Sequence, residues 1–219
     1  MGRSPELNRT YNHFLNSLEK QKYNKYSVAF GHLNFDQGTD ENIKSFIKKR
    51  GSEFEKKFRV IKNYSEPYDK SPFFLKYDLV KEYCKEGELV VELDATDELV
   101  GVHALGVINT VFQANPDLWF LVANSLYEDP EESEANRILP SSPQTFKHPW
   151  ELFHLDKVKV FRKEYFENVV SRMAPMAFES LAYLRLLQQS GPHFSFLNEF
   201  LSFDRRTDVY SPLSGEEKS

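Results

Sequence analysis

Apolar residues along this chain follow two alternating rhythms. In one they recur every three or four positions, the spacing that lays a stripe along a helix. In the other they form short β-branched or aromatic runs bounded by turn residues, the pattern of a buried strand. The helical rhythm predicts helices over Leu7 to Gln21, with Phe14, Leu15 and Leu18 on one face, and over Asp40 to Lys49, with Ile43, Phe46 and Ile47 inward and Thr39 or Asp40 as cap. It recurs over Phe73 to Lys85 (Phe74, Tyr77, Leu79, Val80, Cys84), Gly101 to Ala114 (Leu105, Ile108, Val111, Phe112) and Arg162 to Val170. A last helix is predicted over Ala174 to Gln189 (Phe178, Leu181, Ala182, Leu186, Leu187), closed by Gly191-Pro192. The strand rhythm falls on Tyr26 to Phe30, Phe58 to Ile61, Glu88 to Leu93, Trp119 to Asn124, Val158 to Phe161 and Phe196 to Phe203. Up to Asn124, helix and strand alternate strictly. That order predicts an α/β fold, a mostly parallel sheet with right-handed crossovers and helices on its faces.

Three stretches break the rhythm. Gly31 to Thr39 is rich in turn residues, and Asn63 to Pro72 holds two prolines. Asp129 to Pro149 is acidic and then rich in Pro and Ser, with Pro130, Pro140, Pro143 and Pro149; it predicts a long surface loop that covers a cleft or docks on another chain, with Phe146 and Trp150 as anchors. No repeat is present, so the chain divides into one α/β domain, residues 1–203, and a polar tail, 204–219.

The stretch Gly87 to Leu99 organises the rest. Glu88 to Leu93 predicts a strand buried on both faces, and Asp94 and Asp97 follow at its carboxyl end, where open α/β sheets bind ligands. Carboxylates there suit a divalent cation that bridges to phosphate. The plain structural alternative is that both aspartates cap the turn and the helix that begins near Val100.

Composition narrows the classes. The chain has 219 residues, 40% hydrophobic and 28% charged, which places it among globular, soluble proteins with one sizeable core. A net charge of −5 argues against a nucleic-acid backbone binder. The single cysteine, Cys84, excludes an internal disulfide and a cysteine zinc cluster, and its helical apolar setting reads as a buried thiol. Six histidines are present and none has zinc-ligand spacing; His148 and His154 lie in the long loop, either as catalytic groups or as ordinary surface residues. No run reaches transmembrane length, and no signal or transit pattern opens the chain; an intracellular setting is favoured and the compartment is unread. No phosphate-cradling glycine loop and no serine nucleophile elbow occurs. The Lys44, Lys48, Lys49 and Arg50 group reads as a solvated helix face. Nineteen Phe and eleven Tyr are more aromatic surface than one small sheet needs, which points to protein interfaces.

Taken in order, several segments resemble the family-2 glycosyltransferases of the GT-A fold. Phe14-Leu-Asn-Ser-Leu-Glu-Lys-Gln-Lys-Tyr23 is similar to the family's first helix, and Asp36-Gln-Gly-Thr-Asp-Glu-Asn-Ile43 to the segment after its second strand. Gly87 to Leu99 resembles the strand that ends in the Asp-x-Asp motif. Asp117-Leu-Trp-Phe120, Phe161-Arg-Lys-Glu-Tyr-Phe166 and Ala174-Pro-Met-Ala-Phe-Glu179 resemble three later segments, the last being the helix with the catalytic base. The resemblance runs from about Asn8 to Phe203. It implies a three-layer sandwich, a nucleotide site involving Asp36 and Asp94, a metal held by Asp94 and Asp97, and Glu179 as base.

The sequence also departs from the family's pattern. His32-Leu33-Asn34 stands where an acidic residue would meet the uridine, and Thr96 replaces the middle aspartate of the metal motif. The family's opening strand has no counterpart, because the seven residues before Asn8 carry no strand pattern. Two readings follow. In the first, this is a degenerate, non-catalytic domain serving as a structural or interaction subunit of a larger assembly with protein partners and no cofactor. In the second, it is an active transferase using Mn²⁺ or Mg²⁺ and a nucleotide sugar. The missing strand belongs between Tyr26 to Phe30 and Glu88 to Leu93. Direct closure of those two strands is the expected repair, ahead of a partner strand or the segment Asp204 to Leu213 filling the slot. Both edges of Leu89 to Leu93 should then be paired; an open, solvent-facing edge argues against placing this strand at the family's centre.

Overall fold

Phe120, Leu121, Val122 and Ala123 are all fully buried, although successive side chains of a strand point to opposite faces. Leu121 and Ala123 enter one hydrophobic core and Phe120 and Val122 a second. A sheet covered on both sides is the only setting that fits. The structure, a computed structural model, describes residues 5–33, 37–64, 72–94, 97–128, 136–138, 158–174 and 179–204.

The elements run α1 (Pro5–Glu19), β1 (Val28–Leu33), α2 (Gln37–Lys49), α3 (Ser52–Glu55), β2 (Phe58–Tyr64), α4 (Pro72–Tyr83), β3 (Leu89–Glu92), β4 (Asp97–Leu99), α5 (Ala104–Ala114), β5 (Phe120–Glu128), β6 (Asn136–Ile138), β7 (Val158–Arg162), α6 (Lys163–Val170), α7 (Glu179–Ser190) and β8 (Phe194–Asp204). Tyr11, Phe14, Leu15 and Leu18 of α1, Ile43 and Ile47 of α2, and Leu105, Ile108 and Phe112 of α5 build the first core. Phe73, Phe74 and Val80 of α4, Phe166 and Val170 of α6, and Ala182, Tyr183 and Leu186 of α7 build the second. The fold is therefore α/β, a central sheet between two helical layers.

The sheet is mixed rather than mostly parallel. Its main part has the order β3-β7-β5-β8-β4, with β6 beside β5. β7 is antiparallel to both β3 and β5, and β8 is parallel to β5. So β3, β5 and β8 run one way, as the helical crossovers require. The reading missed that β7 wedges between β3 and β5, and that β4 returns antiparallel to β8. The short run Asp97–Leu99 is β4 itself, not the cap of a following helix. A register irregularity around Asn124 bends β5 against β8, where Asn124 donates to Asn198 at 3.1 Å and the Ser125 and Ser202 hydroxyls meet at 2.6 Å.

β1 and β2 form a separate two-stranded parallel sheet. β1 begins later than expected and continues through Gly31 to Leu33, within the stretch read as turns. The expected closure of β1 onto β3 is not made. β3 is the edge of the larger sheet, and its free side opens into a cavity of about 940 Å³ whose opposite wall is β1. The expectation that both edges of this strand pair therefore fails, and its residues are half-buried rather than buried on both faces; the open edge looks across this slot-like cavity toward β1. Closure is opposed by the helices: the Phe30 ring sits 6.1 and 6.2 Å from those of Tyr11 and Phe14 on α1. Moving β1 by one strand spacing, about 4.8 Å, breaks those contacts.

Three further expectations change. Leu181, read as core, is 54% exposed, because α7 turns Ala182, Tyr183 and Leu186 inward instead. The aromatic residues go largely into the cores: among those whose burial is described no Phe, Tyr or Trp is exposed, and the two clusters share most of them. β6 lies within the long predicted loop, and Phe146 and Trp150 fall outside the described residues.

These positions predict opposite outcomes for two truncations. Phe161 is fully buried and its ring lies 4.5 Å from Phe120 and 5.0 Å from Phe166. Phe161→Ala should cost about 3–5 kcal/mol in urea unfolding. Leu181→Ala should stay within about 0.5 kcal/mol of the parent.

Candidate functional site

At the carboxyl end of β3 a strand, two helices and a neighbouring strand bring charged groups to one point. Lys76 rises from α4, and its Nζ lies 2.8 Å from Glu92 Oε1, 3.0 Å from Glu179 Oε1 and 3.3 Å from Asp94 Oδ1. Glu92 is the last residue of β3 and faces Lys159 across the β3–β7 ladder, an opposite-charge pair with Nζ at 3.8 Å. Glu179 and Tyr183 stand one helical turn apart on α7. The Tyr183 hydroxyl donates to Glu92 and lies 3.2 Å from Glu179, and the Lys159 ammonium sits 4.4 Å over its ring.

Burial sets the electrostatics. It pulls the Lys76 ammonium down, but Glu92, Asp94 and Glu179 outweigh it and hold its pKa well above the usual lysine range. Burial likewise raises Glu92, yet Lys76 and Lys159, with the hydrogen bonds of Lys76 and Tyr183, keep its carboxyl below the usual range. Burial and the neighbouring Glu92 drive the Tyr183 phenol well up, so it stays a donor.

Asp97 takes a different part. Its Oδ2 accepts the Asp94 backbone N–H at 3.0 Å while its own N–H donates to the Asp94 carbonyl at 2.9 Å, which closes the turn into β4. Of the residues singled out in the sequence, Asp94 and Glu179 meet on one ammonium, Asp97 lies behind Asp94, and Asp36 and Thr96 fall outside the described residues. The carboxylates do not fit a divalent cation as they stand. Lys76 occupies their centre, and among the described residues no group of three His, Cys, Asp or Glu side chains is arranged to hold a metal ion.

Lys76, Glu92 and Tyr183 were not singled out from the sequence, and Lys159 only as part of Lys157-Val-Lys159, the counterpart of the family's basic stretch. Glu92 and Lys159 carried a signal: each is a charge inside an otherwise apolar strand, and a buried charge must have a partner. The remaining candidates are structural. His193 stacks on Trp119 at 3.9 Å and His13 pairs with Glu98 at 3.1 Å. Burial pushes the Cys84 thiol up, away from reactivity. His148 and His154 lie outside the described residues.

No family model and no curated protein matches the sequence. Among solved structures, S. aureus TarS residues 1–349 matches with a TM-score of 0.63 at 13% identity, over 94% of this chain and 59% of that one. TarS in complex with UDP-GlcNAc matches with a TM-score of 0.63 at 14% identity, over 91% of this chain and 56% of that one. The fold is glycosyltransferase-like. The chain spans less than 60% of the length of these neighbours, and at this identity the likeness concerns the fold alone. No helix among the described residues is long and apolar enough to cross a membrane.

The charge cluster predicts a pH profile. Glu92, depressed in the folded state, contributes stability fully above the unfolded glutamate range, about pH 4.3, and loses it as pH falls through its lower folded value. Lys76, raised when folded, contributes fully below about pH 10.4 and loses it as pH rises through its higher folded value. Glu92→Gln should cost about 2–4 kcal/mol at neutral pH and flatten the acid limb of the urea midpoint against pH. An acid limb as steep as the parent's shows that Glu92 is not held in this way.

Proposed function

We propose that this chain is a glycosyltransferase-like domain that does not transfer sugar and serves as a structural or interaction subunit of a larger assembly. One observation carries the reading: the Lys76 ammonium lies at the centre of Glu92, Asp94 and Glu179, at 2.8–3.3 Å. A single positive charge with three N–H donors satisfies these carboxylates. On this reading it competes for Asp94 with any divalent cation that would hold a diphosphate. It also ion-pairs with Glu179, which as a base needs a free carboxylate beside the acceptor. Thr96 in place of an aspartate supports the same reading.

Thermal unfolding tests it. A ligand at about 100 times its Kd stabilises by about 2.7 kcal/mol, which in a chain of this size raises Tm by about 5–10 °C. Mn²⁺ with UDP or GDP should leave Tm unchanged. A dose-dependent rise supports instead an active, metal-dependent transferase with Asp94 and Asp97 on the metal and Glu179 as base. Lys76→Met sharpens the test, alone and with Thr96→Asp. Freed of the ammonium, the carboxylates should gain an Mn²⁺-dependent rise in Tm that the parent lacks. If neither variant responds to Mn²⁺, Lys76 is not what excludes the cation.

A further inference from the structure

We propose that the face formed by the ends of α1 and α2 and the starts of β1 and β2 docks on the surface of an anionic lipid bilayer. Such docking goes beyond the reading above and holds whether or not the domain transfers sugar. Side-chain contacts bring the four segments to one place. Arg50, just after α2, lies 3.4 Å from Glu19, the last residue of α1. Tyr26, ahead of β1, donates to the Leu18 carbonyl of α1 at 2.7 Å. Lys57, ahead of β2, holds its ammonium 3.9 Å over the Tyr26 ring. The segments 19–25 and 48–57 that meet here carry eight Lys and Arg against three Glu, in a chain whose 28 Lys and Arg are outnumbered by 33 Asp and Glu. Lys20, Lys22, Lys25, Lys48, Lys49 and Lys56 are exposed. Among the described residues only Lys56 of these six has a carboxylate partner, Glu53 at 2.5 Å. Lysines in the last turn of a helix answer its dipole. That accounts for Lys48 and Lys49, but not for Lys22, Lys25 and Lys56, which lie outside the helices.

The chemistry of the face selects its partner. Its free charges are lysines, because the one arginine, Arg50, is engaged with the Phe46 carbonyl and the side chains of Asn12 and Asn16. α1 and α2 turn their carbonyl ends to it, not their N–H groups. Point charges on flexible stems, with neither a guanidinium fork nor converging backbone donors, do not shape a pocket for one small anion. They suit a surface of many mobile anions, the headgroups of a bilayer. The Tyr26 and Phe46 rings, which could stack on nucleic-acid bases, already carry the ammonium groups of Lys57 and, at 5.7 Å, Lys49. The chain's charge is also polarised along the strands. Arg59 of β2 forks onto Glu88, the residue before β3, and β3 runs with β5, so β1, β2, β3 and β5 start at one end. The acidic run Glu128-Asp-Pro-Glu-Glu-Ser-Glu134 begins at the other end of β5, nine residues or about 30 Å along the strand. That is several times the screening length of about 8 Å at physiological salt, so the acidic end does not cancel the attraction. The residues outside the described ones adjoin the ends of β1, β2, β3, β5, β6 and β8 or the starts of α1, β7 and α7, and none adjoins this face. Residues 205–219 carry three basic and three acidic side chains and so offer the face no net charge. Among the described residues the exposed large hydrophobic is Leu181 on α7, so the attachment is electrostatic, without insertion.

Cosedimentation of the full chain with vesicles tests the docking. Vesicles of phosphatidylcholine with about 40% phosphatidylserine should retain the protein at about 0.1 M NaCl and release it at about 0.5 M, and vesicles of phosphatidylcholine alone should not bind it. The double variant Lys25→Gln/Lys49→Gln should lower the partition coefficient about tenfold or more, with its urea midpoint unchanged. The variant Arg172→Gln/Arg185→Gln loses the same charge at exposed positions elsewhere and should bind as the parent does. On the unmodified chain, acetylation read by mass spectrometry should slow at Lys25, Lys48 and Lys49 with the anionic vesicles and not with the neutral ones. Absence of binding to the anionic vesicles overturns the proposal, and so does equal binding to the neutral ones. Parent-like binding by the lysine variant, or unslowed acetylation at those lysines, overturns it as well. Tighter binding to polyglutamate or to a single-stranded oligonucleotide than to the vesicles would assign the face to an acidic polypeptide or a nucleic acid instead. Release by about 10 mM inorganic phosphate at constant ionic strength would replace the bilayer with a discrete anion site. Stabilisation by Mn²⁺ and UDP would sink the non-catalytic reading and leave the docking face standing.

Discussion

A single ammonium holds the carboxyl end of β3 together. Lys76 leaves α4, where its neighbours Phe73, Phe74 and Val80 are buried, and reaches a point claimed by carboxylates from β3, the turn after it, and α7. Without it, Glu92 would be a carboxylate of low exposure with only Lys159, at 3.8 Å, to balance it. A buried charge left with too little compensation is among the costliest defects a fold can carry. The lysine therefore fixes how α4 and α7 sit on the sheet. α4 also contributes Leu75, Leu79 and Val80 to one wall of the slot, so the charge cluster and the gap share a helix.

The gap is the second constraint. Two parallel strands with nothing beyond them are a weak unit, because parallel ladders are found inside covered sheets. β1 and β2 persist here because α1, through Tyr11 and Phe14, and α2, through Ile43 and Ile47, give them a hydrophobic backing. The bidentate Arg59–Glu88 pair then ties the start of β2 to the start of β3 across the slot. That pair is half-exposed and contributes modestly. Helix packing, rather than strand pairing, joins the smaller sheet to the larger.

The sequence made the helices and most strands legible because their apolar periodicity is strong and local. α1 buries the residues that spacing assigned to it, and α2, α4 and α5 bury most of theirs, with Phe46, Tyr77 and Val111 half-buried at the margins. Strand sense and order were less legible. The directions of β7, a short apolar run, and of the longer β8 depend on long-range pairing, and no local pattern says that Val158–Arg162 enters between β3 and β5. Leu181 shows the limit of a stripe: it satisfies the spacing, but Tyr183 beside it is large and hydrogen-bonded inward, and the helix rotates to bury that ring. At the site, the acidic residues were visible because carboxylates after a strand are a known arrangement. Lys76 was not, because on a helix a lysine among apolar residues reads as a solvated or snorkelling side chain.

What separates the two functional readings is the kind of cation that the cluster was built around. A divalent metal needs oxygen ligands in near-octahedral array and keeps open positions for phosphate oxygens. An ammonium offers three hydrogen bonds and one charge, and here it donates to Glu92 and Glu179 and ion-pairs with Asp94 at 3.3 Å. It can neutralise carboxylates but cannot bridge them to a diphosphate. A lysine that is covalently part of the fold is also present at every pH and ion concentration at which the fold exists, while a metal must be recruited. Asp94, which read as part of a metal motif in sequence, thus joins Glu92 and Glu179 around Lys76, where they link α4 and α7 to β3. On the reading proposed above, groups committed to each other in this way trade an open coordination sphere for a fixed junction between α4, α7 and β3.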